Sequence, residues 1–313
     1  MNRRTIYNIT AIMAIAALAL VSCVKDDLFN TQHPTKGAIL FKADFSNRST
    51  SAEIPAEYSL QHICCGEETP CTMPSQKAEC YPTPITPGRH TFNAWNDCGK
   101  MTLLIKPDEQ NQARLNYAMA RKSCAKATLT NGIIKVNEIE PGIESMPGYL
   151  FTAQHEADIV QDDTVNVTLP MVQRNRDLQI ELIVSEGDAG LIASTSGILT
   201  GIAGEFSLSE QKVTGNATCT LLAFTRDGSR LTANARILGI IGTEQSIDIE
   251  VRFTDRPDIL IVSVDLSEAM SDFNEDMTTT RKITIDLGTP VGADITATIK
   301  GWKDVDGETA DAK

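Results

Sequence analysis

The chain has 313 residues, with 41 acidic residues against 28 basic ones and a formal net charge of −13. This balance argues against nucleic acid as a partner, because binding to phosphate backbones needs clustered Lys and Arg and no basic run is longer than a pair such as Arg121-Lys122. Aromatic residues make up 5% of the chain, so its core must consist mainly of Ile, Leu, Val and Ala, which suits β-sandwiches.

The N-terminus has the pattern of a lipoprotein signal peptide. Arg3 and Arg4 precede an apolar stretch, residues 11–21, which is shorter than the roughly 20 residues needed to span a bilayer. The stretch ends in Leu20-Val21-Ser22-Cys23, which resembles the lipobox of bacterial lipoproteins. On that resemblance residues 1–22 are removed, and Cys23 becomes the first mature residue and carries the lipid. The alternatives are an uncleaved signal anchor or a secreted protein in which Cys23 is incidental.

Residues 23–36 are the predicted acylated N-terminus and tether. Lys25, Asp26 and Asp27 resemble the Lys-acid-acid export signals of surface-exposed lipoproteins in some Gram-negative bacteria, although acidic residues here also suit a solvated linker. Each buried CH₂ of an acyl chain contributes about 0.8 kcal/mol, so several chains on Cys23 would hold a soluble domain firmly at a bilayer. We therefore predict a protein that is lipid-anchored in the cell outer membrane and exposed at the cell surface.

Six cysteines are concentrated in one third of the chain. They are Cys64, Cys65, Cys71, Cys80, Cys98 and Cys124. Outside the cytoplasm such clusters usually form disulfides, but the sequence does not select a pairing. A metal site that includes His62 is the alternative; no Cys-x₂-Cys pair repeats at zinc-ribbon spacing, so we predict neither a metal nor another cofactor. Cys219 stands apart in the apolar run "ATCTLLAF" and is interpreted as a buried free thiol.

The stretch from residue 62 to residue 84 also contains four prolines. Proline removes a donor from a β-ladder, so we predict a loop insertion that strands do not cross.

Alternation of apolar and polar residues dominates the chain from Gly37 onward, as half-buried antiparallel strands require. The clearest runs are residues 165–171, 178–184, 247–253 and 295–299. Turn signals such as Asp227-Gly228 separate such runs, and this spacing favours sandwiches over βαβ units. Residues 265–274 are compatible with a short helix or a turn that packs on a sheet through Leu266, Met270 and Phe273.

The length predicts two domains, because about 290 mature residues exceed the size of one typical domain. A polar, acidic segment near residues 158–164 separates the cysteine-rich half from a half with more regular alternation. The predicted domains are residues 37–160, an N-terminal β-sandwich with the cysteine-rich insertion, and residues 161–313, a C-terminal β-sandwich.

Catalytic constellations are missing from the sequence. It contains no nucleophile elbow, zinc-protease helix, phosphate-binding loop or dinucleotide fingerprint, and its four histidines have no partner at a diagnostic spacing. We therefore predict that the protein is not an enzyme.

Six stretches carry a resemblance to a known family. They are "CVKDDLFN", "HPTKGAILFKADF", "TPGRHTFNAWN", "MPGYLFTA", "LPMVQRNRDLQIEL" and "ITATIKGW". Together they resemble the FimB-type fimbrial anchor and accessory lipoproteins of the type V pilus system, over most of the chain, although the cysteine-rich insertion at residues 64–98 departs from the pattern. The resemblance implies an all-β chain with two transthyretin-like antiparallel β-sandwich domains after a lipoprotein signal peptide. It also implies a location at a fimbrium.

The partners that the resemblance implies are other fimbrial subunits, with the lipid connecting the chain to the outer membrane. Subunits of this type join by strand addition, in which an extended segment satisfies the free N–H and C=O groups of a sheet edge. The candidate exchanged segment is the C-terminal run with Ile295, Ala297 and Ile299; a strand that stays within its own domain is the alternative.

A surface glycan-binding lipoprotein is the alternative function, with ligands on host or bacterial surfaces. Sugars stack on exposed aromatic rings, and the two tryptophans are Trp95 and Trp302. If both prove to be buried, the platform that sugar stacking needs is absent.

Overall fold

The computed structural model describes residues 36–64, 71–77, 83–98, 101–105, 113–117, 124–130, 133–140, 142–143, 145–257, 259–289 and 295–306. These residues form strands and turns, with one short 3-10 helix at Ala189–Leu191 and no α-helix. The predicted all-β class is confirmed, while the transthyretin-like character of the domains stays a prediction. In the described part of the chain, no helix has the length and apolar composition of a membrane span.

The strands are β1 (Gly37–Asp44), β2 (Glu57–Cys64), β3 (Cys71–Lys77), β4 (Thr83–Ile85), β5 (Gly88–Trp95), β6 (Met101–Ile105), β7 (Ala113–Tyr117), β8 (Cys124–Thr130), β9 (Ile133–Glu140), β10 (Gly142–Ile143), β11 (Phe151–Ile159), β12 (Thr164–Pro170), β13 (Val172–Gln173), β14 (Arg176–Glu186), β15 (Ile192–Ser207), β16 (Lys212–Ala223), β17 (Thr225–Asp227), β18 (Arg230–Ile237), β19 (Ser246–Phe253), β20 (Ile259–Asp265), β21 (Thr279–Gly288) and β22 (Thr296–Asp306).

Alternating apolar residues determine where several of these strands form. Leu178, Ile180 and Leu182 of β14 are buried on one face, at the period of two that a strand gives its side chains. The other predicted runs correspond to β12, β19 and β22. These four predicted strands are therefore confirmed.

A first sandwich encloses a core built mainly from the N-terminal part of the chain. One sheet has the order β12-β1-β4, and the other has the order β13-β11-β5-β2-β3. β1 and β12 run parallel, with Phe41 opposite Val167. Phe41 of the first sheet meets Phe92 of the second edge to face, with ring centroids 4.9 Å apart. Both sheets therefore contribute to one apolar core.

A second, larger core lies between two further sheets. One has the order β10-β16-β15-β19-β20, and it is extended by β7, which pairs with β15, and by β6, which pairs with β7. The other has the order β17-β18-β14-β21-β22, in which β14 and β21 are parallel. Leu199 and Ile249 of one sheet and Ile180 and Ile283 of the other are fully buried in this core.

Each sandwich contains strands from both sides of residue 160. β12 follows this residue and joins the first sandwich, whereas β6, β7 and β10 precede it and join the second. The bounds 37–160 and 161–313 remain a prediction, and the structure contributes the observation of two separate apolar cores.

The expectation that no strand crosses residues 62–84 is wrong for β3, which contains Pro74 and pairs antiparallel with β2. β3 lies at the edge of its sheet, and its pairing with β2 shifts register between Tyr58 and Leu60, next to Pro74. Edge strands and bulges are both places where a sheet accommodates proline.

Residue 265 ends β20, and residues 267–275 form consecutive turns. Leu266, Met270 and Phe273 are fully buried in the second core, so their predicted packing is confirmed. The segment connects β20 of one sheet to β21 of the other, and it therefore crosses the core from sheet to sheet. We call residues 266–278 the turn cap.

Leu182→Ala should lower the free energy of unfolding by about 2–5 kcal/mol, because removal of a fully buried side chain leaves a cavity. Leu182 has no exposed surface in the second core. The matched control is Leu221→Ala in β16, where the side chain is 45% exposed and the expected change is below about 1 kcal/mol. Urea unfolding measures both variants, and equal losses would contradict this assignment of the core.

Candidate functional site

The predicted lipidation and export residues lie outside the described residues, so their roles stay predictions. They are Cys23, Lys25, Asp26 and Asp27. The disulfide candidates Cys64, Cys65, Cys71, Cys80 and Cys124 have side chains outside the described part as well. The side chain of Cys98 is described and is buried. The pairing of these six cysteines therefore also stays a prediction.

Cys219 is fully buried in β16, and its sulfur belongs to a disulfide. Its predicted burial is confirmed, but the interpretation as a free thiol is wrong. A buried thiol and half of a disulfide suit the same apolar run, so the sequence did not distinguish them.

The predicted exchange segment forms the edge of the five-stranded sheet of the second core. β22 pairs antiparallel with β21 from Thr279–Asp306 to Gly288–Thr296, and in the described part of the chain its other side has no paired strand. Ile295 immediately precedes β22, and Ala297 and Ile299 lie within it. A free edge of this kind presents unpaired backbone donors and acceptors.

β22 covers the core much less completely than its neighbour β21. Ile283, Ile285 and Leu287 of β21 are fully buried. Ala297 and Ile299, which lie opposite Leu287 and Ile285, are only half-buried. The apolar surface that β22 removes from water is therefore small, and its hydrophobic stabilisation is correspondingly weak.

The edge of the opposite sheet lies beside β22. β20 is the last strand of that sheet, and residues of β20 and β22 approach within 8 Å between Cα atoms. Leu260 and Val262 of β20 pack on the same core and are also half-buried. The two edge strands β20 and β22 therefore close the gap between the sheets.

A buried arginine fixes β22 at its C-terminal end. Arg281 of β21 lies opposite Asp304 of β22 and contacts both carboxylate oxygens, through Nε at 2.6 Å and Nη2 at 3.3 Å. Nη2 also donates to Asp272 of the turn cap at 2.7 Å, and Nη1 donates to the carbonyl oxygen of Ala269. One guanidinium therefore connects the edge strand, the sheet and the turn cap.

A second buried arginine reaches the same carboxylate. Arg176 of β14 forms an ion pair with Asp304 and donates to the carbonyl oxygens of Thr279 at 3.0 Å and Phe273 at 2.9 Å. Its guanidinium carbon lies 4.9 Å from the Phe273 ring centre, a cation–π distance. We call Arg176, Arg281, Asp272 and Asp304 the arginine clasp.

The arginine clasp combines two buried cations with two partly exposed acids. The Arg176 and Arg281 side chains are 0% and 1% exposed, whereas those of Asp304 and Asp272 are 38% and 52% exposed. Burial lowers the pKa of Arg176, an effect that Asp304 opposes. Burial also lowers the pKa of Arg281, but its hydrogen bonds to Asp304 and Asp272 outweigh burial and raise the pKa overall. A buried arginine without its carboxylate is strongly unfavourable.

Sequence reasoning missed the two arginines. Arg176 and Arg281 belong to different strands that the fold pairs in parallel, and neither lies in a local motif. Asp304 lies near the charged C-terminus, where acidic residues resemble a solvated tail. No signal short of the strand pairing could have brought these residues together.

A cleft of about 490 Å³ opens where the two sandwiches meet. In its wall Tyr149 donates a hydrogen bond to Asp177 at 2.5 Å, and Arg236 contacts the same carboxylate at 2.7 Å. Burial and the bond to Asp177 raise the pKa of Tyr149. The guanidinium carbon of Arg236 lies 3.5 Å from the centre of the Tyr149 ring. These groups satisfy one another, so the cleft presents a closed polar network.

His62 pairs with His90 across β2 and β5, with Nε2 and Nδ1 2.5 Å apart. The two residues are 28 positions apart, so no spacing motif revealed the pair. Among the described residues, no group of three His, Cys, Asp or Glu side chains could hold a metal ion. The contact between His62 and His90 is therefore a hydrogen bond between two strands.

Comparison with known proteins identifies one matching family and solved structures with a similar fold. The sequence model of one family, described as fimbrillin-A associated anchor proteins Mfa1 and Mfa2, matches residues 82–307. The solved structure of the fimbrial anchor protein Mfa2 from Porphyromonas gingivalis aligns with a TM-score of 0.53 and 12% identity, over 85% of this chain and 98% of that chain. No match was found among curated protein sequences.

Two further solved structures share the fold. A proposed adhesin from Bacteroides ovatus ATCC 8483 aligns with a TM-score of 0.57 and 11% identity, over 80% of this chain and 88% of that chain. A proposed polysaccharide-binding protein from Bacteroides thetaiotaomicron VPI-5482 aligns with a TM-score of 0.50 and 9% identity, over 86% and 98%. At these identities the likeness shows a common fold.

Asp272→Asn should flatten the acid dependence of stability. The hydrogen bond from Arg281 holds the pKa of Asp272 below its usual value. A carboxyl with a lowered folded pKa stabilises the protein above its unfolded pKa of about 4 and loses this contribution as the pH falls through the folded pKa. Unfolding free energies measured below about pH 4 should therefore decline less steeply than in the native chain.

The control for this experiment is Asp255→Asn, at an exposed turn position. It should reproduce the native decline. An Asp272→Asn curve parallel to the native one throughout the acid range would contradict the contribution of the arginine clasp.

Proposed function

The chain belongs to the family of fimbrillin-A associated anchor proteins, and from this premise we propose that it is a lipid-anchored subunit that holds a fimbrium at the cell surface. Family membership makes it a fimbrial accessory or surface protein and not an enzyme. The further proposals are its lipid anchor, its position in the outer membrane and the strand addition by which it joins other subunits.

The observation that carries the proposal is the weakly covered edge strand β22. It lies against the fully buried strand β21, but its own Ala297 and Ile299 are half-buried. If β22 leaves, Ile283, Ile285 and Leu287 line a groove whose backbone groups need a new partner. An extended segment of another subunit can satisfy these groups and fill the groove with larger side chains.

The lipid anchor rests on the sequence. Acylation of Cys23 would retain the chain in the outer membrane, and Lys25, Asp26 and Asp27 would direct it to the cell surface. A subunit that accepts a strand but cannot leave the membrane would hold the assembled fimbrium to the cell.

The connection between the two cores suits an anchor under tension. The Gln173 side chain accepts the backbone N–H of Ser49 at 3.0 Å and donates to the carbonyl oxygen of Asn175 at 2.9 Å. Asn175 accepts the N–H of Leu150 at 2.9 Å. All four residues are buried, and buried, satisfied hydrogen bonds stabilise one arrangement of the parts that they connect.

Surface glycan binding is the second candidate function, and the exposure of Trp302 supports it. The Trp302 side chain is 42% exposed, so an indole is available for stacking on a sugar. Trp95 is buried at 8% exposure, and Arg236 covers one face of Tyr149. A glycan would therefore be expected at Trp302 rather than in the cleft beside Tyr149.

Cys23→Ala should release both the protein and the fimbriae from the cell, because the chain loses its lipid. Immunoblots of cells and medium, in a deletion strain complemented with the native gene or the variant, measure this result. Leu221→Ala is the control and should leave both on the cell. If the variant protein is shed while the fimbriae stay attached, the anchor proposal is wrong, and glycan arrays with Trp302→Ala become the next test.

Locking β22 in place should block recruitment of fimbriae. Lys282 and Lys303 lie opposite each other on β21 and β22, so a disulfide in the double variant Lys282→Cys, Lys303→Cys would tie the two strands together. Cells with the oxidised variant should lose cell-bound fimbriae, and a reductant should restore them.

The matched control for this lock is Thr225→Cys, Thr232→Cys, a cross-strand pair at the opposite edge of the same sheet. This variant should retain fimbriae in both redox states. Normal recruitment by the oxidised Lys282→Cys, Lys303→Cys chain would contradict exchange of β22.

A further inference from the structure

We propose that Arg176 and Arg281 form a carboxylate receptor that selects the strand in the β22 position. Only a strand with Asp or Glu opposite Arg281 can then replace β22 stably. This inference rests on the proposed exchange of β22 and specifies the chemistry of the segment that is exchanged.

The first argument is the charge that remains when β22 leaves. In the described part of the chain, Asp304 is the one carboxylate that forms an ion pair with Arg176, and Arg281 shares it. Arg281 would keep Asp272, but the direct contacts of Arg176 would be reduced to the oxygens of Thr279 and Phe273, with Asp272 and Asp276 acting on it only at longer range. A buried guanidinium that loses its direct ion pair is unfavourable, so an incoming strand gains from restoring a carboxylate at this point.

The second argument is the geometry of the receptor. Arg281 contacts both oxygens of Asp304, and Arg176 approaches one of them from β14. Planar guanidinium groups bind a carboxylate at defined positions and are poorly replaced by other groups. Because the turn cap holds both arginines through the carbonyl oxygens of Ala269 and Phe273, the receptor remains in place when its ligand is exchanged.

The third argument concerns register. A slip of one residue turns every side chain of a strand to the opposite face, and the half-buried Ala297 and Ile299 provide little packing to prevent this. The carboxylate contact does prevent it, because Asp304 lies opposite Arg281. β22 contains one extra residue between Ile299 and Asp304, where the pairing shifts between Thr284 and Ile285.

The receptor therefore predicts the chemistry of the partner segment. It should be extended, with aliphatic residues opposite Ile285 and Leu287 and an acidic residue opposite Arg281. A strand with the same bulge as β22 places that acid five residues after the aliphatic residue opposite Ile285. The aliphatic positions can vary in size, whereas the acid cannot be replaced by an amide of nearly the same shape.

Peptide exchange into a nicked full-length chain tests the receptor. A protease site inserted into residues 290–294 would be cleaved after folding, so that residues 295–313 remain bound as a separate strand. Fluorescent peptides of residues 295–306 then compete for the position, and fluorescence anisotropy measures their affinities. The peptides are the native sequence, Asp304→Glu, Asp304→Asn and the control Asp306→Asn, which removes a nearby exposed acid that forms no ion pair with any other described residue.

The Asp304→Glu peptide keeps a carboxylate for the two arginines, and the Asp306→Asn peptide loses only a rim charge, which contributes little. Both should therefore bind with affinities within about fivefold of the native peptide. Asp304→Asn should bind at least about thirtyfold more weakly, the loss expected when one partner of a buried charge pair is removed. In a nicked chain with Arg176→Met, the difference between the native and Asp304→Asn peptides should shrink to less than about fivefold. The Arg176 charge that the peptide carboxylate neutralises is then absent, and Arg281 still has Asp272.

Equal binding of the native and Asp304→Asn peptides would overturn the proposal. Failure of the native peptide to bind would also overturn it, since a receptor that cannot be refilled cannot select. Failure of the receptor proposal can be told apart from failure of the proposed function. If the proposed function is wrong, cells with the locked Lys282→Cys, Lys303→Cys chain carry normal fimbriae. The peptide assay tests only the receptor, because it involves no other fimbrial subunit.

Discussion

Two buried guanidinium groups that share one carboxylate determine how the second sandwich is closed. Arg176 and Arg281 lie inside the end of the core, and the acid that neutralises both comes from β22, the edge strand. Their other hydrogen bonds hold the turn cap, which crosses from one sheet to the other. The edge strand, the sheet and the end of the core therefore depend on the same ionic contact.

This contact explains how a poorly buried strand can be well defined. β22 contributes little apolar burial, because Ala297 and Ile299 are half-buried and Trp302 is 42% exposed. Hydrophobic burial is non-directional, whereas the arginine clasp fixes one residue of the strand opposite Arg281. Besides the arginine clasp, the strand has one partly exposed ion pair, between Lys300 and Asp286. A strand held mainly by one buried ionic contact and weak packing can be replaced without loss of register if the replacement supplies the same contact. That combination suits a subunit whose partner supplies a strand.

The sequence predicted the parts of the fold that depend on local periodicity. The alternation in β14 and β19 identified strands because each buries one face, and Leu266, Met270 and Phe273 were correctly expected to pack. Pro74 was misleading, because an edge position tolerates a residue that an interior strand excludes. Cys219 was misleading because its burial does not reveal whether its sulfur is bonded.

The ionic part of the candidate site could not be predicted in this way. Arg176, Arg281 and Asp304 come from three strands, and their meeting depends on which strands pair and in which register. The segment with Ile295, Ala297 and Ile299 was identified because its alternation is local. Its position at a sheet edge, its weak coverage of the core and its acidic anchor are properties of the assembled sheets.

The most direct test of the account is a photo-crosslinker at Thr284, which lies on β21 opposite Gly301 of β22. In cells without fimbriae, the crosslink should join Thr284 to residues 295–306 of the same chain. In fimbriated cells, the account predicts an additional adduct to another fimbrial subunit, mapped by mass spectrometry to an extended segment with an acidic residue opposite Arg281. Crosslinks confined to the chain's own β22 in fully fimbriated cells would contradict it.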